Sequence, residues 1–285
     1  MKKVDFVILA SPRSGSSVFR NYLNGIREVG IPPESPFPLR TSAELRHNLP
    51  NWTDKSAVSD HLASVVAQDN KLVLWNVPSE KMVEMLMFRR PSTWSEVVVS
   101  IYEAYFDMFP RRPNLYGDKN NSYMSYLEGL SEAFPKPKLI HLVRNPGDVV
   151  GSQLNFTTTR KSNLAPQFRD DPPALLEHWA QSNINVVQFA ANQGLDIHLV
   201  RYEELVQSAQ KVTKAVAAFL GIDLPHNYRP KNAWRRYPES ENFLDWKSKS
   251  RKPLKNLTTQ YSETVISDFA SNRVQSVAES FGYGP

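Results

Sequence analysis

Cysteine is absent from the 285-residue chain, which excludes a disulfide scaffold, a thiolate metal site and a cysteine nucleophile. No stretch approaches the ~18 consecutive apolar residues of a membrane span. Met1 to Asp5 carry charges, and the apolar stretch Phe6 to Ala10 is too short for a signal-peptide core. The chain therefore reads as a soluble, cytoplasmic protein. Internal repeats and low-complexity tracts are missing too, which sets aside solenoids and disordered tails. Charge of one sign is scarce: 34 Lys and Arg against 29 Asp and Glu leave +5. That balance suits an anionic ligand and gives no case for nucleic acid. The six histidines show no ligand spacing, so no metal is expected. What remains is an ordinary globular composition, 41% apolar and 22% charged, with enough chain for a sizeable core.

The apolar run Val4 to Ala10 ends in Ser11-Pro12 and predicts a buried strand and a turn. Val18, Phe19, Tyr22, Leu23 and Ile26 come next at helical spacing, and Gly30 supplies a stop. The alternation returns. Lys71–Trp75 predicts a strand, and Thr93-x-x-Glu96 predicts a capping box opening a helix to about Phe109. Leu139–Val143 predicts a strand followed by a helix through Val150 to Leu154. Pro173 to Asn192 predicts a long helix, Ile197–Val200 a strand, and Leu205 to Leu220 another helix ended by Gly221. Strands alternating with helices imply an α/β protein, a parallel sheet covered by helices on both faces. The chain is expected to form a single domain, 1–285. The irregular stretches about 32–53 and 222–256 are expected as loops over a site beyond the carboxyl ends of the strands.

The first strand-to-helix turn, Ser11-Pro12-Arg13-Ser14-Gly15-Ser16-Ser17, carries the most chemistry. A glycine turn aims backbone N–H groups at one point, and a helix start adds partial positive charge. Ser14, Ser16 and Ser17 add hydroxyls and Arg13 a cation, which together suit a tetrahedral oxyanion. A plain helix cap would have the same residues. Neither Gly-x-x-x-x-Gly-Lys-Ser/Thr nor Gly-x-Gly-x-x-Gly is present, so phosphate or sulfate handled without magnesium fits better. At the second strong strand end, Arg144-Asn145-Pro146-Gly147-Asp148-Val149-Val150-Gly151-Ser152 offers Arg144 and, about two helical turns on, Ser152. If the two strands are neighbours, these would take a second phosphate. A salt bridge to a loop acid is the other use for Arg144.

Ser11–Ser17 resembles the 5′-phosphosulfate loop of sulfotransferases, and Arg144–Ser152 is similar to their 3′-phosphate site. Val200-Arg201-Tyr202-Glu203-Glu204-Leu205 resembles the segment whose tyrosine lies near the adenine, which would be Tyr202. Tyr116-Gly117-Asp118-Lys119-Asn120 resembles the family's Gly-Asp/Glu-Lys element. The four occur in the family's order over residues 6–205. The resemblance implies a three-layer α/β/α, P-loop-like fold. It implies 3′-phosphoadenosine 5′-phosphosulfate (PAPS) as co-substrate without a metal, and transfer of its sulfuryl group to an acceptor. Arg13, Ser14, Gly15, Ser16 and Ser17 would hold the 5′ end, and Arg144 and Ser152 the 3′-phosphate. Arg251 and Lys252, in a late basic loop, would close over the phosphates unless they form a plain solvated charge run.

An acceptor hydroxyl needs a base. Many small-molecule sulfotransferases carry it in Thr-His-x-Pro, but this chain reads Trp75-Asn76-Val77-Pro78. Glu34, in Pro32-Pro33-Glu34-Ser35-Pro36, stands where some sulfotransferases place a glutamate base. The bland alternative pairs it with Arg40. His61 is a further candidate, although Asp60-His61-Leu62 reads as an exposed helical turn. Lys119 would bear on the sulfuryl or leaving oxygen, or else be a solvated loop lysine. Phe37, Trp52, Trp75, Trp94, Tyr102, Tyr105 and Phe106 either line an apolar acceptor pocket or form core. The expected acceptor is a small-molecule, lipid or glycolipid hydroxyl. A non-catalytic nucleotide-binding scaffold and a nucleotide kinase stay open as other readings.

Overall fold

A computed structural model describes residues 2–69, 71–159, 171–237 and 261–283. Five parallel strands, β1 (Val4–Ala10), β2 (Val29–Gly30), β3 (Leu115–Lys119), β4 (Lys138–Val143) and β5 (Ile197–Arg201), form one sheet in the order β2-β3-β1-β4-β5. Helix α1 (Ser16–Leu23) succeeds β1. The long connection from β2 to β3 carries α2 (Phe37–Arg40), α3 (Ala43–His47), α4 (Lys55–Gln68), α5 (Ser79–Arg89) and α6 (Trp94–Phe106). A single turn, α7 (Leu130–Ala133), precedes β4, and α8 (Pro146–Thr159) and α9 (Pro172–Gln193) precede β5. After β5 come α10 (Tyr202–Gln207), α11 (Ala209–Phe219), α12 (Tyr261–Phe269) and α13 (Asn272–Ser280). No helix among the described residues is long and apolar enough to cross a membrane.

A central parallel strand is buried on both faces, so it reads as a continuous apolar run rather than an alternation. In β1, Val7 and Leu9 face one core with α4, α5 and α6, while Phe6, Ile8 and Ala10 face a second with α1 and α11. A third cluster joins α8, α9 and α13 through Val149, Leu176, Trp179, Val277 and Phe281. Helices thus cover both faces of the sheet, giving the three-layer α/β/α arrangement expected from the alternation. Because β1 lies between β3 and β4, the turn at its carboxyl end is flanked by the segments that leave β3 after Lys119 and β4 after Val143.

The structure departs from the sequence reading at several points. Lys71–Trp75 is not a strand: Leu72–Trp75 is a 3₁₀ helix whose exit, Asn76, has φ +53. Leu72 and Trp75, three apart, are buried while Val73 is exposed, and Asp69 caps the turn by accepting from Lys71 N at 2.9 Å. The capping box at α6 forms with a one-residue offset. Thr93 Oγ1 accepts from Glu96 N, but the Glu96 carboxylate accepts from Ser92 N at 2.7 Å, and the helix ends at Phe106 rather than Phe109. The predicted helix from Leu205 to Leu220 is broken at Ser208, whose φ of −144 is extended. His61 is buried rather than exposed, edge-on to Trp52 with ring centroids 6.2 Å apart. Phe37, Trp75, Trp94, Tyr102, Tyr105 and Phe106 are all buried core, packed ring against ring, and only Trp52 of the candidate pocket aromatics is half-buried. Residues 31–39 are likewise interior rather than a loose cover.

His141 of β4 is fully enclosed, with Nε2 2.8 Å from Asn183 Oδ1 and its ring edge-on to Phe281. Burial lowers its pKa from 6.5 to about 4. Between those values the unfolded chain binds a proton that the folded chain refuses. The stability contributed by neutral His141 is therefore intact above the unfolded value and lost as pH falls toward 4, by up to roughly 3 kcal/mol. Asp118 acts in the opposite sense, since burial raises its carboxyl to about 6. Urea unfolding at about pH 7 and about pH 4.5, wild type against His141→Gln, separates the two because Asp118 is common to both. The wild type should lose more stability than the variant across this window. Equal losses would mean that another group titrates.

Candidate functional site

The turn leaving β1 is tight and strained. Ser14 N donates to Ser11 O at 3.2 Å. Arg13 has φ +76 and Gly15 φ +84, the left-handed region that costs a residue with a Cβ about 1–2 kcal/mol. Two side chains hold the turn from outside. Gln153 Nε2 donates to Pro12 O at 3.2 Å and Arg144 Nη1 donates to Arg13 O at 3.1 Å. Gly15 cannot be larger, because a Cβ there would lie 2.3 Å from the Tyr202 ring. Ser16 Oγ donates to Asn121 Oδ1 at 2.9 Å, tying α1 to the chain beyond β3. The Ser14 hydroxyl is buried and has no hydrogen-bond partner among the described residues. An orphaned hydroxyl beside a helix start, where amides lack intrahelical acceptors, fits a phosphate-type or sulfate-type oxygen.

The end of β4 supplies the second part. The buried Arg144 guanidinium lies 4.7 Å over the Tyr202 ring, and its Nη2 is 3.2 Å from Asp148 Oδ2. Asn145 Oδ1 accepts from Gly147 N at 2.9 Å at the start of α8, while Asn145 N donates to Glu203 Oε1 at 3.0 Å. Two turns along α8, Ser152 Oγ accepts from Arg13 Nε at 3.1 Å. The sequence separated Arg13 from Ser152 by assigning them to two anion sites, whereas the fold joins them directly. The salt bridge of Arg144 is to Asp148 of its own motif rather than to a distant loop acid.

Glu34 forms the third part. Its Oε1 is 3.5 Å from Lys119 Nζ and accepts from Asn121 N at 3.2 Å. Lys119 is 1% exposed and Glu34 8%, so Lys119 is no solvated loop lysine. Arg40, the cation that the sequence offered to Glu34, is exposed, and Lys119 takes its place in the ion pair. The flanking chain is pinned on both sides. Arg20 Nη1 donates to Pro32 O at 3.2 Å, and Asn24 pairs with both backbone groups of Ile31 at 2.9 and 3.0 Å. Ser35 Oγ donates to Asp69 Oδ2 at 2.5 Å. His61, two turns before the Asp69 that caps the end of α4, packs edge-on to Trp52. On the opposite face of β3, the enclosed Asp118 accepts from Tyr102 at 2.5 Å and Tyr123 at 2.7 Å, and burial raises its carboxyl to about 6.

The fold thus gathers Arg13, Ser14, Gly15, Ser16, Arg144, Ser152 and Tyr202 around one turn, and links them through Asn121 to Glu34 and Lys119. Arg251 and Lys252 lie outside the described residues. Sequence reasoning missed Asn121 and Gln153. Each adjoins a motif residue, but no spacing rule marks a residue that serves through single hydrogen bonds to a distant segment, Gln153 to Pro12 O and Asn121 to Ser16 Oγ and Glu34 Oε1. Among the described residues no three His, Asp or Glu side chains gather as a metal site.

The model of the sulfotransferase family matches residues 5–226, a span that contains every residue of this cluster. Among solved structures the chain is similar to a sulfotransferase domain from the curacin biosynthetic pathway, at 21% identity and TM-score 0.59 over 100% of this chain and 99% of that one. It is also similar to a sulfotransferase domain from the Synechococcus PCC 7002 olefin synthase, at 22% identity and TM-score 0.58 over 99% and 95%. Both likenesses concern the fold. No curated protein sequence matches the chain.

Gly15→Ala should destabilise the protein by about 2–4 kcal/mol, combining a left-handed backbone with overpacking against Tyr202. Denaturant unfolding of Gly15→Ala and of Gly15→Ala with Tyr202→Ala separates the two costs. Measured against Tyr202→Ala alone, the added alanine should cost less, because the ring it strikes is gone. An unchanged cost would leave the backbone as the whole cause.

Proposed function

The chain belongs to the sulfotransferase family, and we propose that it transfers a sulfuryl group from PAPS to an acceptor hydroxyl with Glu34 as general base. The observation that carries this reading is a buried carboxylate and a buried lysine 3.5 Å apart, linked through Asn121 to a strained anion turn. Replacing a buried ion pair by apolar residues of similar volume is often neutral or stabilising, so stability alone accounts poorly for this one.

In this scheme Ser14 with its orphaned hydroxyl, the Gly15–Ser17 amides and the Ser17 hydroxyl hold the anionic 5′ end, and the Ser16 hydroxyl joins them by exchanging Asn121 Oδ1 for the ligand. Arg144 and Ser152 hold the 3′-phosphate, with Tyr202 beside the nucleoside and Arg13 between the two ends. When bound, the donor supplies the sulfuryl group and leaves with the electron pair of the broken S–O bond as adenosine 3′,5′-bisphosphate. Glu34 accepts the acceptor's hydroxyl proton as the new S–O bond forms. Lys119 neutralises charge on the transferring or leaving oxygens, and until then its ammonium balances the Glu34 carboxylate. Arg251 and Lys252 complete the scheme as a closing contact on the phosphates. The small exposure of Glu34 favours an acceptor whose hydroxyl stands on a slim arm, in keeping with a small-molecule, lipid or glycolipid acceptor.

Calorimetric titration without magnesium should show adenosine 3′,5′-bisphosphate binding far more tightly than adenosine 5′-phosphate or ATP. Arg144→Ala should abolish most of that difference, and equal binding of all three nucleotides by the wild type would overturn the donor reading. Glu34→Gln keeps an acceptor for Asn121 N and removes the base. It should lower turnover by about 10²-fold or more with nucleotide affinity nearly unchanged. Turnover retained in Glu34→Gln would place the base elsewhere.

A further inference from the structure

Glu203 presents a puzzle: it is a carboxylate next to Tyr202 and directly bonded to the residue after Arg144, where an anionic ligand is proposed to bind. Each of its carboxylate oxygens accepts a hydrogen bond. Oε1 accepts from Asn145 N at 3.0 Å and Oε2 accepts from the Tyr283 hydroxyl at 2.6 Å, which also lies 3.1 Å from Val143 O. The dipeptide Tyr202-Glu203 therefore grips the dipeptide Arg144-Asn145, by ring against guanidinium and by carboxylate against amide. Tyr283 is itself fixed by the turn that ends α13. Tyr283 N donates to Ala278 O at 2.9 Å, Gly282 takes φ +81 where a Cβ would strike Arg201, and Phe281 packs edge-on to His141.

We infer that Tyr283 is a positioning residue for the nucleotide's 3′-phosphate: its hydroxyl holds Glu203 Oε2, which keeps that carboxylate on Asn145 N and turned away from the phosphate that Arg144 is proposed to bind. This inference rests on the donor reading above. With the hydroxyl removed, a carboxylate oxygen loses its donor beside the site. It can then turn its charge toward the incoming phosphate and repel it.

The test is calorimetric titration of adenosine 3′,5′-bisphosphate and of adenosine 5′-phosphate into wild type, Tyr283→Phe, and Tyr283→Phe with Glu203→Gln. Tyr283→Phe keeps the ring and its packing, and thermal unfolding checks that the fold is intact. It should weaken the bisphosphate roughly 5- to 20-fold and leave the monophosphate within about twofold. Adding Glu203→Gln removes the freed charge and should recover most of the loss, an outcome that general loosening of the loop would not give. Unchanged binding in Tyr283→Phe, equal losses for both nucleotides, or a deeper loss in the double variant would overturn the inference. If Tyr283→Phe proves unstable, Glu203→Gln alone carries the test: with the charge gone and an acceptor for Asn145 N kept, the bisphosphate should bind at least as tightly as it does to the wild type, and a loss confined to the bisphosphate would overturn the inference. A wild type that shows no preference for the 3′-phosphate overturns the donor reading, and this inference with it.

Discussion

The turn between β1 and α1 is the constraint on which the rest of the site depends. Two of its residues, Arg13 and Gly15, sit in the left-handed region, and only one of them is glycine. Strain of this kind persists only where surrounding structure over-determines it. Here α8 and the end of β4 do so, through Gln153 on the carbonyl of Pro12 and Arg144 on that of Arg13. The same Arg144 stacks on Tyr202, and the Tyr202 ring fills the space that a side chain on residue 15 would need. Three strand ends are therefore interlocked at one point: β1 supplies the turn, β4 the arginine and β5 the tyrosine. A parallel sheet brings this about because all its strands end on the same side.

Glu34 and Lys119 are placed by a second set of bonds. Burying a charged pair costs several kcal/mol per ion before attraction and hydrogen bonds offset it. The pair is maintained by a framework that spends side chains on backbone groups. Arg20 of α1 and Asn24 just after it hold the carbonyls of Pro32 and Ile31, and one side-chain pair, Ser35 with Asp69, adds to them. Asn121 bonds with its amide to Glu34 and with its side chain to Ser16. The helix that opens the anion turn thus also positions the carboxylate, which couples the two halves of the proposed reaction.

Much of the scaffold was legible in the sequence because it depends on local pattern. The runs at Val4–Ala10 and Leu139–Val143 are long, apolar and bounded by turn residues, and both are central strands. The run at Lys71–Trp75 is equally apolar but forms a 3₁₀ helix over Leu72–Trp75, because in short apolar runs periodicity alone cannot separate a strand from a helical turn. The strand Leu115–Lys119 escaped as a strand because Gly117, Asp118 and Lys119 read as chemistry rather than as a buried run. His61 and the aromatics of α6 were ambiguous for a related reason. Helical spacing says which residues share a face, while the surface that the face meets is set by elements far away in the chain.

The sequence by itself determined the strand-turn-helix units at β1 and β4, the strand β5, the parallel sheet that such alternation implies, and the residue types offered at those strand ends. Hydrophobic period, turn chemistry and helix stops are properties of neighbouring residues, so they survive without coordinates. Only the tertiary structure decided which of those offered groups meet. It paired Glu34 with Lys119 rather than Arg40, joined Arg13 to Ser152, brought in Gln153 and Asn121, and set Tyr283 on Glu203 across 80 residues of chain. Such contacts come from strand order and from single hydrogen bonds between distant segments. Neither leaves a period or a spacing in the sequence from which it can be read.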